Sequence, residues 1–160
     1  SISPSMDIQI SSNFERALFD AYGRDGKAVA ALMDEMKGKG GFGVSQGALQ
    51  WLRETFTSGR VSEDETSEEI RVEKAASGEL LCPHSAVGVK VAKDQLGSVP
   101  MITLATAHPA KFPDAVEAAT GIRPGLPPRM ADLFDRSERV TRVANDLKAI
   151  ETIVQERRRT

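Results

Sequence analysis

The length, composition and charge of the chain indicate a soluble globular protein and exclude several functional classes. Its 160 residues, 40% of them hydrophobic and 28% charged, suffice for one domain core, and no apolar run approaches the ~18 residues that a membrane span requires. A formal net charge of −2 argues against nucleic acid or an anionic membrane as a partner of the chain as a whole.

The single cysteine and the first residues bear on where the protein works. Cys82 cannot form an intramolecular disulfide, and a lone cysteine fits a reducing, cytoplasmic setting. The chain begins SISPSMDIQI, without an initiator Met or a charged leader. We therefore expect a processed or truncated piece of a longer protein.

Residues that start and stop helices recur along the chain and predict seven or eight helices. Polar or proline residues mark most of the starts, and glycines mark several of the ends. In chain order, the predicted helices begin at Ser11 or Ser12, at Asp25, near Ser45, at Ser62 or Asp64, around Pro83 to Ser85, near Pro109, near Arg129 and near Ala144.

Residues 101–105 (MITLA) are the one strong strand candidate. Their continuous apolar character is typical of a strand that is buried on both faces of a parallel sheet. A single strand cannot form a sheet, so its neighbours are expected in sequence that this chain lacks. We therefore predict an α/β fold to which this chain contributes mainly helices.

A polar cluster, TAHPAKF, follows the predicted strand directly. In an open α/β sheet, ligands lie beyond the carboxyl ends of the strands. Thr106 offers a hydroxyl, His108 an imidazole and Lys111 a charge near a helix start, which suits a ligand with a ring nitrogen or a phosphate. In the alternative interpretation, Thr106 caps the helix, His108 packs against its neighbours and Lys111 is solvated.

Two other patterns carry less information. Residues 37–43 (KGKGGFG) follow a helix rather than a strand and lack the Gly-Lys-Ser/Thr ending of a phosphate-binding loop. Cys82, His84 and His108 would leave a zinc ion short of a protein ligand, so we expect no metal site.

Four motifs follow one another along the chain, the last ending at Glu117. They are SPSMDIQISSNFER (residues 3–16), EDETSEEI (63–70), PHSAVGV (83–89) and LATAHPAKFPDAVE (104–117). Their order and identity resemble threonine synthase, a pyridoxal-phosphate enzyme of the tryptophan-synthase-β structural group. The resemblance implies the helix-rich C-terminal part of a fold-type-II pyridoxal-phosphate domain, with residues 122–160 as a variable helical tail.

The resemblance also implies a reaction and a set of site residues. Threonine synthases are carbon–oxygen lyases acting on phosphates, and they convert O-phosphohomoserine and water to threonine and phosphate. Thr106 matches the neutral hydroxyl residue that faces the pyridine nitrogen in this structural group. Further candidates, for a substrate or phosphate pocket, are His108, Lys111, His84 and Glu65. Cys82 stands where the family usually has an acidic residue, so a carboxylate role does not carry over to it.

The lysine that forms the Schiff base with the cofactor in this family has no match in the chain. The family carries it in an N-terminal SFKD-like stretch, and none of the lysines here has that context. We therefore expect no catalytic residue in this chain, no activity from it alone, and the missing N-terminal part as its partner. The alternative is a non-catalytic helical binding or assembly module derived from such an enzyme.

Overall fold

Helices make up the regular structure of the chain. The computed structural model describes residues 1–9 and 11–158, which contain seven α-helices and three 3-10 turns. The α-helices are α1 (Ser12–Ala21), α2 (Gly26–Lys39), α3 (Gln46–Thr55), α4 (Glu63–Ser77), α5 (Pro83–Lys93), α6 (Pro113–Thr120) and α7 (Leu147–Arg157), and the turns are Pro109–Lys111, Pro128–Met130 and Leu133–Asp135. Over the described ranges, every helix is too short or too polar to cross a bilayer.

Side-chain caps confirm the predicted starts of α2, α3 and α4. The Asp25 carboxylate accepts hydrogen bonds from two backbone N–H groups of the first turn of α2, and the Ser45 hydroxyl accepts one from α3. Ser62 and Glu65 form a capping box, in which each side chain accepts the backbone N–H of the other residue. Because these signals are local, the sequence predicts them well.

Two predictions near the C-terminus need correction. The short helix expected near residues 129–134 is a pair of 3-10 turns. The last helix begins at Leu147 rather than near residue 144, because the Asp146 carboxylate accepts the Ala149 N–H at 2.9 Å and caps the helix there.

The buried strand predicted for residues 101–105 does not form in the structure. This segment has no regular secondary structure, and the exposed fractions of Ile102 and Leu104 are 83% and 76%. A strand of a parallel sheet needs neighbouring strands for its backbone hydrogen bonds, and the described part of the chain contains no strand. The apolar segment therefore lies open on the surface of the chain.

The chain divides into two compact units, Ser1–Gly125 and Leu126–Thr160. In the first unit, α1 packs against α2 and α3, and α4 packs against α5 and α6. The second unit contains α7 and two of the 3-10 turns, and its described residues include no fully buried side chain. Residues 122–160, predicted as a variable tail, are shared between the two units.

The first unit buries its apolar side chains in two places. Leu18, Leu32 and Ala48 come from α1, α2 and α3, whereas Ile70, Ala86 and Val116 come from α4, α5 and α6. The second cluster is the larger, because it also buries Thr66, Glu69 and the residues at the start of α5.

A partly buried ion pair joins the last residue of α5 to α4. The Lys93 ammonium contacts the Glu69 carboxylate at 2.5 Å and the Glu73 carboxylate at 3.0 Å. Glu69 is only 5% exposed, so Lys93 supplies the opposite charge that a buried carboxylate needs. Hydrogen bonds to Glu69 and Glu73 raise the pKa of Lys93, and the bond to Lys93 lowers the pKa of Glu73.

The connection before α4 passes close to α5 at Gly59. A Cβ atom at this position would lie 2.8 Å from Val91 Cγ2 and 2.9 Å from Val91 Cγ1, closer than real Cβ contacts occur. Gly59 therefore lets the loop approach the helix. Gly88 plays the same role for the exposed apolar segment, because a Cβ there would lie 3.2 Å from Thr103 Cγ2.

We expect Gly59→Ala to lower the free energy of unfolding by about 1–3 kcal/mol, because the added methyl group overpacks the contact with Val91. In the double variant with Val91→Ala, the combined loss should be smaller than the sum of the two single losses, because the smaller side chain makes room. Gly41→Ala is the matched control, since a Cβ at Gly41 would meet nothing within 4 Å. Urea unfolding of the four proteins and the wild type measures these differences, and strictly additive losses would contradict the close approach.

Candidate functional site

The first turn of α5 is buried, contains His84 and contacts Thr106 through Ser85. Its residues from Pro83 to Ala86 all lie inside the protein. Pro83 occupies the first helical position, where a missing N–H costs nothing. Cys82 is the N-cap, and its Sγ accepts the Ser85 N–H at 3.3 Å. A thiol thus takes the place of the usual oxygen cap.

Thr106 is connected to this turn through Ser85. The Thr106 N–H donates to Ser85 Oγ at 3.1 Å, and the two hydroxyl oxygens lie 3.4 Å apart. Ser85 is 3% exposed, whereas Thr106 is exposed. The chain therefore holds the backbone of Thr106 from the inside and leaves its side chain accessible.

An open groove of about 780 Å³ lies beside this contact. The end of α4 and the loop to α5 form one side, and the segments around residues 105–109 and 122–125 form the other. Its polar lining includes Glu79, Cys82, Ser85, His108 and Arg123. Ala105 and Ala107 also line the groove, whereas Thr106 between them does not.

His108 and Lys111 are both exposed, as a ligand-binding role or solvation requires. His108 lines the groove, and its Nδ1 accepts the Ala110 N–H at 3.1 Å, so the imidazole caps the 3-10 turn. The Lys111 Nζ lies 5.9 Å from the centre of the Phe112 ring. Both the binding and the structural interpretation of these residues are compatible with this geometry.

His84 has the most constrained environment of the predicted residues. It is 4% exposed, its Nε2 accepts the Ser5 N–H at 3.1 Å, and its ring centre lies 4.5 Å from that of Phe112. Because Nε2 accepts, the proton of the neutral ring is on Nδ1. Burial, and then the nearby charge of Lys111, lowers the pKa of His84 below its ordinary value of 6.5.

Glu65 has a structural partner that accounts for its position. Its carboxylate accepts the Ser62 N–H and the Ser62 hydroxyl, each at 2.8 Å, at the start of α4. These bonds, followed by smaller effects of Lys90 and Arg60, lower the pKa of Glu65. It does not line the groove.

Two residues of the site were missed by sequence reasoning. The sequence marks Ser85 only as part of a helix start, and Arg123 lies in residues 122–160, which the resemblance implies to be a variable tail. Arg123 lines the groove, where its guanidinium contacts Asp114 at 2.9 Å and Glu117 at 2.5 Å. Hydrogen bonds to these carboxylates raise the pKa of Arg123. The helix-start pattern around Ser85 was visible, but its pairing with a residue 21 positions away was not.

Comparisons with known proteins agree on one family. Residues 85–154 match the family model "Threonine synthase, C-terminal". The chain is 50% identical, over 96% of its length, to threonine synthase from Pseudomonas aeruginosa, and 43% identical, over 74%, to the enzyme from Saccharomyces cerevisiae. The chain is homologous to the C-terminal part of threonine synthases.

The fold supports the same relationship with threonine synthases. The crystal structure of pyridoxal-phosphate-bound threonine synthase from Brucella melitensis matches 98% of this chain, with a TM-score of 0.82 and 52% identity. The chain spans only about a third of these relatives, 34% of both the Pseudomonas and the Brucella proteins. The resemblance predicted from the four motifs is confirmed, and the family match begins at Ser85 and includes Thr106, His108 and Lys111.

The burial of His84 predicts a pH dependence of stability. Because its pKa is lowered on folding, the stabilisation is fully present above the unfolded value of 6.5 and is lost as the pH falls below it. We expect the wild type to lose more stability than His84→Gln between about pH 7.5 and about pH 5.5. Glutamine keeps an acceptor for the Ser5 N–H but does not titrate.

Urea unfolding of both proteins at the two pH values tests this expectation. The difference between the two losses isolates His84 from the other titrating groups. Equal losses would show that the imidazole is not held neutral by burial beside Lys111.

Proposed function

We propose that this chain is the C-terminal part of a threonine synthase, a carbon–oxygen lyase that converts O-phosphohomoserine and water to threonine and phosphate. The observation that carries the proposal is the 50% identity, over 96% of the chain, to the Pseudomonas threonine synthase. The Brucella fold match also supports it, with a TM-score of 0.82 over 98% of the chain. The enzyme would be a pyridoxal-phosphate enzyme, like the Brucella protein.

The residues of the chain fit this cofactor at Thr106. An exposed hydroxyl can form a hydrogen bond to a pyridine nitrogen, and the bond from the Thr106 N–H to Ser85 fixes the backbone from which this side chain projects. Pyridoxal phosphate, when bound, would supply the electron sink for the carbanion chemistry. The protein would contribute a neutral partner rather than a carboxylate at the ring nitrogen, which moderates that sink.

The other predicted residues differ in how well the structure suits them to a substrate or phosphate pocket. His108 is the best placed, because it is exposed and lines the groove. Lys111 adds an exposed positive charge three residues later. His84 is buried in contact with Ser5 and Phe112, so we assign it a positioning role. Glu65 is the weakest candidate, because its carboxylate caps the start of α4.

The remainder of the active site would come from the N-terminal part of the same protein. We expect that part to carry the lysine that binds the cofactor, so this chain would supply no catalytic residue of its own. Its strands would also cover residues 101–105, where Ile102 and Leu104 are exposed. We also propose a cytoplasmic location, which would suit a chain whose single cysteine, Cys82, is free and buried.

Thr106→Ala in the complete enzyme tests the assignment. We expect a changed absorbance spectrum of bound pyridoxal phosphate and a turnover lowered by about tenfold, because a hydrogen bond worth roughly 1.4 kcal/mol is lost. The free energy of unfolding should fall by less than about 1 kcal/mol, since the side chain is exposed in this part of the protein.

Thr106→Ser is the matched variant, because it keeps the hydroxyl and removes only a methyl group. Its spectrum and turnover should stay close to those of the wild type. An alanine variant with wild-type spectrum and rate would remove Thr106 from the cofactor site. A native protein that binds no pyridoxal phosphate and has no threonine synthase activity would favour a helical binding module instead.

A further inference from the structure

Ser85 is a buried hydroxyl placed between Thr106 and the interior of the protein. Its Oγ accepts the Thr106 N–H at 3.1 Å, lies 3.4 Å from Thr106 Oγ1 and lies 3.2 Å from Cys82 Sγ. Nothing in the local structure of α5 requires this side chain, because Cys82 already caps the helix. Its contacts are instead directed at the segment that carries Thr106.

The protons of these three groups can be assigned by counting donors and acceptors. Ser85 Oγ has one proton and two lone pairs. One lone pair accepts the Thr106 N–H. In the first of two possible orders of protons, the other accepts the S–H of the buried Cys82, whose Sγ lies 3.2 Å from Ser85 Oγ. The Ser85 proton is then donated to Thr106 Oγ1, and the Thr106 proton is directed away from Ser85.

The reverse order of protons is less favourable. In that order, the Ser85 hydroxyl would donate a hydrogen bond to Cys82 Sγ, a weak acceptor that already accepts the Ser85 N–H at 3.3 Å. That order would also turn the Thr106 proton inward and leave Thr106 with lone pairs alone for a ligand. The first order therefore makes Thr106 a hydrogen-bond donor toward its exposed side.

We propose that Ser85 is a positioning residue that holds the Thr106 hydroxyl as a donor to the unprotonated ring nitrogen of the cofactor. The proposal rests on the proposed function and adds the direction of the hydrogen bond and the residue that sets it. The separation of the two hydroxyls is long at 3.4 Å. We expect this contact to shorten when a bound ligand accepts a hydrogen bond from the Thr106 hydroxyl, because successive hydrogen bonds in a chain strengthen one another.

The test uses the full-length enzyme with Ser85→Ala, Ser85→Thr and, as a matched control, Ser45→Ala. Ser45→Ala also removes a serine hydroxyl that accepts a backbone N–H, but at the start of α3. Two quantities are measured besides activity. They are the dissociation constant of the apoprotein for pyridoxal phosphate and the pH at which the absorbance bands of the bound cofactor interconvert.

We expect Ser85→Ala to raise the dissociation constant by about five- to tenfold. It should also move the pH midpoint upward, because a freely rotating Thr106 hydroxyl can accept a hydrogen bond from a protonated ring nitrogen as well as donate one to the unprotonated nitrogen. Ser85→Thr retains the hydroxyl and should stay within about twofold of the wild type. Ser45→Ala should affect stability but neither cofactor measurement.

Unchanged binding and spectrum in Ser85→Ala, or equal effects of alanine and threonine, would overturn the positioning role. If the alanine variant does not fold, Ser85→Cys replaces it, since sulfur keeps the volume but bonds weakly and should shift the midpoint in the same direction. Failure of the proposed function itself is separately visible, because the wild-type enzyme would then bind no pyridoxal phosphate.

Discussion

The first turn of α5 begins inside the protein, and the rest of the site depends on how its polar groups are satisfied there. A buried helix start must find partners for its free N–H groups without water. Here Cys82 accepts the Ser85 N–H, which leaves the serine hydroxyl available for another segment. The same turn places His84 on Ser5 and Phe112. One helical turn therefore fixes three separate pieces of chain.

The two ends of α5 are held by different kinds of interaction. At its start, neutral groups form hydrogen bonds in a buried setting. At its end, the Lys93 ammonium neutralises the buried Glu69 and the half-buried Glu73 of α4. Contacts at both ends therefore hold α5 in position. This fixed position is what gives Thr106 a defined place.

The sequence predicts most of the helices because the residues that form any one start signal lie within four positions of each other. The capping box of Ser62 and Glu65 is an example of such a signal. The strand at residues 101–105 was predicted from its apolar character, but strand formation depends on neighbours that the described chain does not contain. A sequence pattern shows which secondary structure a segment favours, and the neighbouring segments determine whether that structure forms.

The site shows the same distinction between local and distant information. The Thr106 to Lys111 cluster could be found from the motif that follows the apolar run. The link from Ser85 to Thr106 spans 21 positions, and no periodic pattern connects two such residues. The burial of His84 was equally hidden, because its partners Ser5 and Phe112 lie in distant segments.

The exposed apolar segment has a consequence for how this chain behaves in solution. Ile102 and Leu104 are open beside a stretch of β-favouring residues that pairs with no strand among the described residues. Segments of this kind promote edge-to-edge association between copies and, at high concentration, aggregation. A solubility liability of the chain therefore lies directly before Thr106.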